Sequence, residues 1–298
     1  MSISWGYFLD PQDEAVSERT LQRAVELGVT HFDTASLYGR GHNETLVGRA
    51  LRNRPDDVLI ASKCGLVNHG DERGTVRDGR PETLRRQCEE SLARLGLETL
   101  DLYYLHRVDP GVPVEESFGA LAELVGEGKI RLLGISECTV DELARAHATH
   151  PVSALQSEFS LWTREPLRDV IPWCAGNGVS FVAFGVLGRG YLTGALSPSQ
   201  VFPEGDFRAT NPRFQPDAMA ANVAIVDGLR RVADRLGATP AQVVVAWVLA
   251  QGEHLLPIPG TKRAHYLEEN LGGAALALDG PTLAELDALP AAVGARYA

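Results

Sequence analysis

The chain has 298 residues, of which 44% are hydrophobic and 22% charged, and a formal net charge of −11; this profile fits a globular protein, read here as one domain over 1–298. The acidic balance argues against nucleic acid or an anionic membrane as main partner. No apolar run approaches the roughly 18 residues a membrane span needs, and the opening MSISWGYFLDPQDE lacks a basic-then-apolar leader, so a cytoplasmic protein is expected.

In chain order, EAVSERTLQRAVELG reads as a helix closed by Gly28, and THFDTA as a short strand. NETLVGRALR is helical and DVLIASK a strand. RPETLRRQCEESLARLG puts Leu84, Cys88, Leu92 and Leu95 on one helical face, with Gly96 as the stop. LDLYYLH, IRLLGIS, SALQSEF, VSFVAFGV and LLPIPG are further strands. Between them VEESFGALAELVGEG, TVDELARAHAT and LRDVIPWCAGNG read as helices, and Thr139 with Glu142 has the spacing of a capping box. A long polar stretch covers about 188–220, and the segment 64–80 reads as a Gly-rich, charged loop. TPAQVVVAWVLAQG and AHYLEENLGG are helices.

Strands alternating with helices imply an α/β fold with a parallel sheet covered on both faces. Seven strands begin near residues 31, 58, 101, 132, 154, 180 and 255. An eighth would close a (β/α)8 TIM barrel, whose chemistry sits at the C-terminal strand ends. Asp33, Lys63, His106, Ser136, Gln156 and Phe184 all fall at such ends. Before the first helix the sequence offers only MSIS as a strand, so the first barrel strand is expected to be truncated or nearly absent, and the open edge leaves room for a homo-oligomer.

Asp33, Tyr38, Lys63 and His106 together suit delivery of a proton to a carbonyl oxygen while hydride attacks its carbon. A nearby ammonium should lower the phenol pKa from about 10, and a carboxylate can hold that ammonium in place. The four cysteines at 64, 88, 138 and 174 show no CxxC pairing, and the histidines show no ligand spacing, so no metal is expected. Cys64 stands out only because it follows Lys63.

FDTASLYG with GHNETLVGRAL, then ASK, LYYLH, GISE, LQSEFSLW, FGVLGRGYLTG and IPGTKRAHYLEENL, in that order, resemble an aldo-keto reductase over about residues 5–290. The resemblance implies a (β/α)8 barrel, NADPH as usual cofactor, and a small carbonyl substrate reduced to an alcohol. It makes Tyr38 the proton donor, Lys63 the group that tunes it, Asp33 the partner of Lys63, and His106 the group that orients the carbonyl. It assigns Ser136 and Gln156 to the nicotinamide carboxamide and Phe184 to the nicotinamide face. Gly185, Leu187, Gly188, Arg189 and Gly190 follow the pyrophosphate. Gly260, Thr261, Lys262 and Arg263, before a helix N-terminus, suit the 2′-phosphate, and Glu269 and Asn270 the adenine.

Departures from the family pattern are Tyr266, at a position where some members carry a phosphate-binding Arg, and Glu137, where many have Asn. The first leaves room for NADH. Trp5, Tyr7 and Trp162 are expected to line the substrate pocket, and the stretch around Phe207, Arg208, Arg213 and Phe214 to fold over the cofactor. The short tail after Pro290 suggests an open pocket. Two other functions fit the same residues: an NADP(H)-binding, redox-sensing regulatory subunit with little turnover, and a barrel lyase or isomerase using Lys63 as a Schiff-base amine.

Overall fold

A computed structural model describes residues 3, 4, 6, 13–70 and 74–297. Its strands are β1 (His31–Asp33), β2 (Leu59–Cys64), β3 (Leu66–Asn68), β4 (Thr75–Arg77), β5 (Leu100–Leu105), β6 (Ile130–Ser136), β7 (Val152–Glu158), β8 (Ser180–Phe184) and β9 (Leu255–Pro257). Seven of them form one parallel sheet in the order β1-β2-β5-β6-β7-β8-β9. The sheet curls as a barrel left open at one seam, since β9 and β1 do not pair among the described residues. Ile3 and Ser4 lie in a turn, and the rest of the expected first-strand region lies outside the described residues.

The helices are α1 (Glu14–Glu26), α2 (His42–Ala50), α3 (Pro81–Leu95), α4 (Val114–Gly126), α5 (Val140–Thr149), α6 (Val170–Asn177), α7 (Phe207–Thr210), α8 (Pro216–Ala221), α9 (Val223–Leu236), α10 (Pro240–Leu249), α11 (Ala264–Gly272) and α12 (Gly280–Asp287). Their boundaries have local causes. Thr139 and Glu142 close the capping box of α5, and Thr239 with Gln242 does the same for α10. Gly96 ends α3 at φ 67°, a conformation costly for a residue with Cβ.

Strand periodicity sorts the core into two layers. On β5, Tyr103 and Leu105 point outward into the main core shared with the helices. Leu102 and Tyr104 point inward, where they meet Ala61, Ala154 and Val182. Space for the buried Tyr104 ring comes from Gly134 across the β5–β6 register: a Cβ there would sit 2.3 Å from Tyr104 Cδ1.

Two segments differ from the sequence expectation. The 64–80 loop contains an antiparallel hairpin, β3 against β4. The stretch 188–220, expected to be a long polar stretch, holds short helical turns whose Arg208, Arg213 and Phe214 are buried. Helix α9, directly after it, was not anticipated. It is plainly amphipathic, burying Ile225, Val226, Leu229, Val232 and Ala233, but its start carries no side-chain cap.

Candidate active site

Inward-facing alternate residues continue past the last core layer to the C-terminal ends of the strands. This parity puts Asp33 of β1, Lys63 of β2, His106 just after β5, Ser136 of β6, Gln156 of β7 and Phe184 of β8 around one mouth. Tyr38 comes from the loop between β1 and α2 and is buried.

Lys63 is the centre of the group. Its side chain is 0% exposed, and its ammonium donates to Asp33 Oδ1, to the Thr34 carbonyl at 2.8 Å and to Tyr38 Oη at 3.4 Å. The ammonium also lies 5.0 Å from the Tyr38 ring centre. The His106 ring stands edge-on to Tyr38 at 5.9 Å. Gln156 Nε2 donates to the second Asp33 oxygen at 2.8 Å.

The electrostatics follow from burial set against pairing. Burial opposes the charge on Lys63, but Asp33 and Tyr38 outweigh it and raise its pKa above the ordinary lysine value. Burial pushes the Tyr38 phenol up, and Lys63 pulls it back only in part, so the net direction is upward. This corrects the expectation of a phenol more acidic than ordinary tyrosine: desolvation exceeds the ammonium's pull. Burial, then Lys63 and Arg107, drive His106 well below the usual histidine range, so its ring is neutral. Its Nδ1 has no hydrogen-bond partner among the described residues.

Around this core, Ser136 Oγ accepts from Arg107 Nη1 at 3.1 Å, and the same Nη1 donates to the His106 carbonyl at 2.6 Å. An N–H donor on the serine oxygen leaves the hydroxyl hydrogen free to point into the mouth. Glu137, held in the left-handed region at φ 54°, turns its carboxylate toward Ser157 Oγ, Glu158 N and Arg296 Nη2. The loop after Phe184 winds through positive φ at Gly185, Gly188, Arg189 and Gly190. Such a path lets backbone N–H groups converge on an anion. Gly260, Thr261, Lys262 and Arg263 lead into the N-terminus of α11, where Thr261 Oγ1 accepts from Arg263 N at 3.3 Å. Two residues before the end of α11, Asn270 is buried, and its Nδ2 has no partner among the described residues. A glycine-lined loop, a basic helix start and an orphaned amide suit the phosphates and base of a nucleotide.

Trp162 is buried, stacked on Tyr191 at 5.1 Å with Phe214 edge-on, so its ring packs beneath the 188–214 segment. Trp5 and Tyr7 lie outside the described residues. Burial raises the Cys64 thiol far above its ordinary value, which makes it unreactive. The short tail is anchored: Arg296 bonds Glu137, and Tyr297 packs on Phe207. Arg107 and Arg296 were missed. Arg107 adjoins His106 in sequence, whereas nothing local marks Arg296. No group of three or more His, Cys, Asp or Glu side chains suited to a metal occurs among the described residues.

Comparison with known proteins places this geometry. The model of the Aldo/keto reductase family matches residues 1–291. A protein of Glycine max named probable aldo-keto reductase 1 is 40% identical over 296 residues, covering 98% of this chain and 85% of that protein. Aldo-keto reductase yakc [NADP(+)] of Schizosaccharomyces pombe is 39% identical, with 96% and 87% covered. Among solved structures, the glycerol dehydrogenase of Gluconobacter oxydans superposes with TM-score 0.87 at 30% identity, covering 96% of this chain and 88% of that one. An aldo-keto reductase from Klebsiella pneumoniae in complex with NADPH gives 0.74 at 25%, with 99% and 92% covered.

Proposed function

The chain belongs to the aldo/keto reductase family, and we propose that it reduces aldehydes or ketones to alcohols with NADPH, Tyr38 giving the proton. The observation that carries this is the contact of the Lys63 ammonium with the Tyr38 hydroxyl at 3.4 Å, with Asp33 paired to the same ammonium.

The nicotinamide supplies hydride to the carbonyl carbon. The chain's own residues handle the oxygen. Tyr38 enters as a phenol, because burial keeps its proton on at neutral pH. As it gives that proton to the oxygen, charge develops on the phenolate beside an ammonium already in place, so little reorganisation is needed. Asp33 keeps Lys63 charged for that purpose. Neutral His106 donates a hydrogen bond to the same oxygen and orients it without competing as an acid.

Ser136 and Gln156 would hold the carboxamide, Phe184 would cover the ring, and Gly185, Leu187, Gly188, Arg189 and Gly190 would run along the pyrophosphate. Gly260, Thr261, Lys262 and Arg263 would take the 2′-phosphate, with Glu269 and Asn270 at the adenine. Gln156 Nε2 is already used by Asp33, which leaves its Oε1 to accept from the carboxamide NH2. NADH is a weaker alternative, since it offers the basic turn no phosphate.

The test joins fluorescence titration with NADPH and NADH to an assay of NADPH oxidation over a panel of small aliphatic and aromatic aldehydes. Tighter NADPH binding with turnover supports the proposal. NADPH binding with no turnover on any aldehyde would favour the regulatory-subunit reading. A Schiff-base role for Lys63 is disfavoured, because a paired ammonium is a poor nucleophile.

A further inference from the structure

We infer that Arg296 in the C-terminal tail is a positioning residue for the cofactor loop: by sharing Glu158 Oε2 with Arg189, it leaves the Arg189 guanidinium available to an anion. The inference rests on reading residues 185–190 as the pyrophosphate loop.

Glu158, the last residue of β7, is 2% exposed. Its Oε2 accepts from Arg189 Nη2 at 3.2 Å and from Arg296 Nη2 at 3.4 Å. Its Oε1 accepts from the Thr163 hydroxyl at 3.1 Å and lies 3.7 Å from Arg213. Glu137 is the second carboxylate of the group, bonded to the same Arg296 Nη2 at 2.9 Å. Arg208 adds nothing to the balance, because Asp206 answers its charge at 2.8 Å. Glu165 also faces Arg213, and Arg107 also faces Glu137. Three carboxylates therefore face four guanidiniums, those of Arg107, Arg189, Arg213 and Arg296. The cluster carries one positive charge in excess, inside a protein whose net charge is −11.

A charge so far out of water needs a partner. Without Arg296 the cluster would balance, and the buried Glu158 would hold Arg189 alone on Oε2. With it, the surplus is available to a ligand beside the glycine loop. The tail fixes Arg296 in place by backbone contacts. Asn222 exchanges two hydrogen bonds with Val293, at 2.8 and 3.0 Å, and Asn211 donates to the Arg296 carbonyl at 2.7 Å. The guanidinium itself is bonded only through Nη2, and its buried Nε has no partner among the described residues. Arg189 is oriented by Phe207, whose ring centre is 4.7 Å from its guanidinium carbon.

The experiment measures NADPH dissociation constants by fluorescence for the full chain, Arg296→Ala, Arg296→Lys, Glu158→Gln and the double variant Arg296→Ala/Glu158→Gln. Arg296→Ala should weaken NADPH on the order of tenfold, the scale of a lost interaction with a charged group. Adenosine 2′-monophosphate, which has no pyrophosphate, should bind both proteins alike. Arg296→Lys keeps the charge and should retain most of the affinity. Adding Glu158→Gln to Arg296→Ala should restore it, because Arg189 is then released from a neutral amide. An unchanged affinity in Arg296→Ala, or a loss that Glu158→Gln does not repair, overturns the inference while leaving the reductase reading intact. Failure of the unmodified chain to bind NADPH overturns both.

Discussion

Gln156 Nε2 donates to Asp33 Oδ2 at 2.8 Å while Lys63 holds the other oxygen of the same carboxylate. Asp33 is thereby fixed from both sides, and it is what keeps a completely buried ammonium charged. Asp33→Asn removes that counter-charge. We expect a loss of roughly 3–5 kcal/mol in stability, as for a broken buried pair, read from denaturant midpoints. Burial would then pull the Lys63 pKa down against Tyr38 alone. Turnover in the variant should decline as pH rises across a range where the original enzyme is level. A parallel pH profile for the two proteins would show that Asp33 does not act through Lys63.

Acid sensitivity follows from the buried histidines. Burial lowers the pKa of both His31 and His106 from the ordinary 6.5. Below that value the unfolded chain takes up protons there that the folded protein does not, so stability falls as pH drops. Above it neither state is charged and the contribution is constant. Urea midpoints should decrease between pH 7 and 5.5, and His31→Asn should flatten the decrease. Stability that rises on acidification in this window would contradict the assignment.

The barrel interior offers a packing test. A methyl at Gly134 would lie 2.3 Å from Tyr104 Cδ1 and 2.9 Å from the Ala154 carbonyl oxygen. Gly134→Ala should therefore cost about 1–3 kcal/mol. Combining it with Tyr104→Leu, which removes the ring, should recover part of that loss in a thermal melt. A fully additive double variant would mean that the two positions do not meet.

How far the sequence disclosed this arrangement depends on the range of the signal. All seven sheet strands were legible, because each is an apolar run between turn residues. Asp33, Lys63 and His106 were legible because strand ends are where a barrel exposes polar groups. Helix α9 shows helical apolar spacing at Ile225, Val226, Leu229, Val232 and Ala233 before Gly237 but was passed over; it lacks a capped start, since Asn222 spends its side chain on Val293. Arg296 was invisible because its partners Glu137 and Glu158 lie 159 and 138 residues away. The Tyr38 pKa was misjudged because residue types show which charge is near but not how much water has been excluded.

On the proposed reading, the basic turn before α11 sets cofactor choice. Lys262→Ala should raise the KM for NADPH about tenfold, the effect of one charged phosphate contact. The KM for NADH should barely move, since it carries no 2′-phosphate. Equal changes for both cofactors would place the 2′-phosphate elsewhere.

Single-turnover oxidation of bound NADPH by an aldehyde in Tyr38→Phe is the most direct test of the proton's source. The rate should fall by about 10²–10⁴-fold, the usual contribution of a positioned acid, while the NADPH dissociation constant stays within a few-fold of the original, the margin expected when no cofactor contact is removed. A variant that oxidises NADPH at a near-normal rate would contradict the account, because the proton would then come from a group other than the phenol beside Lys63.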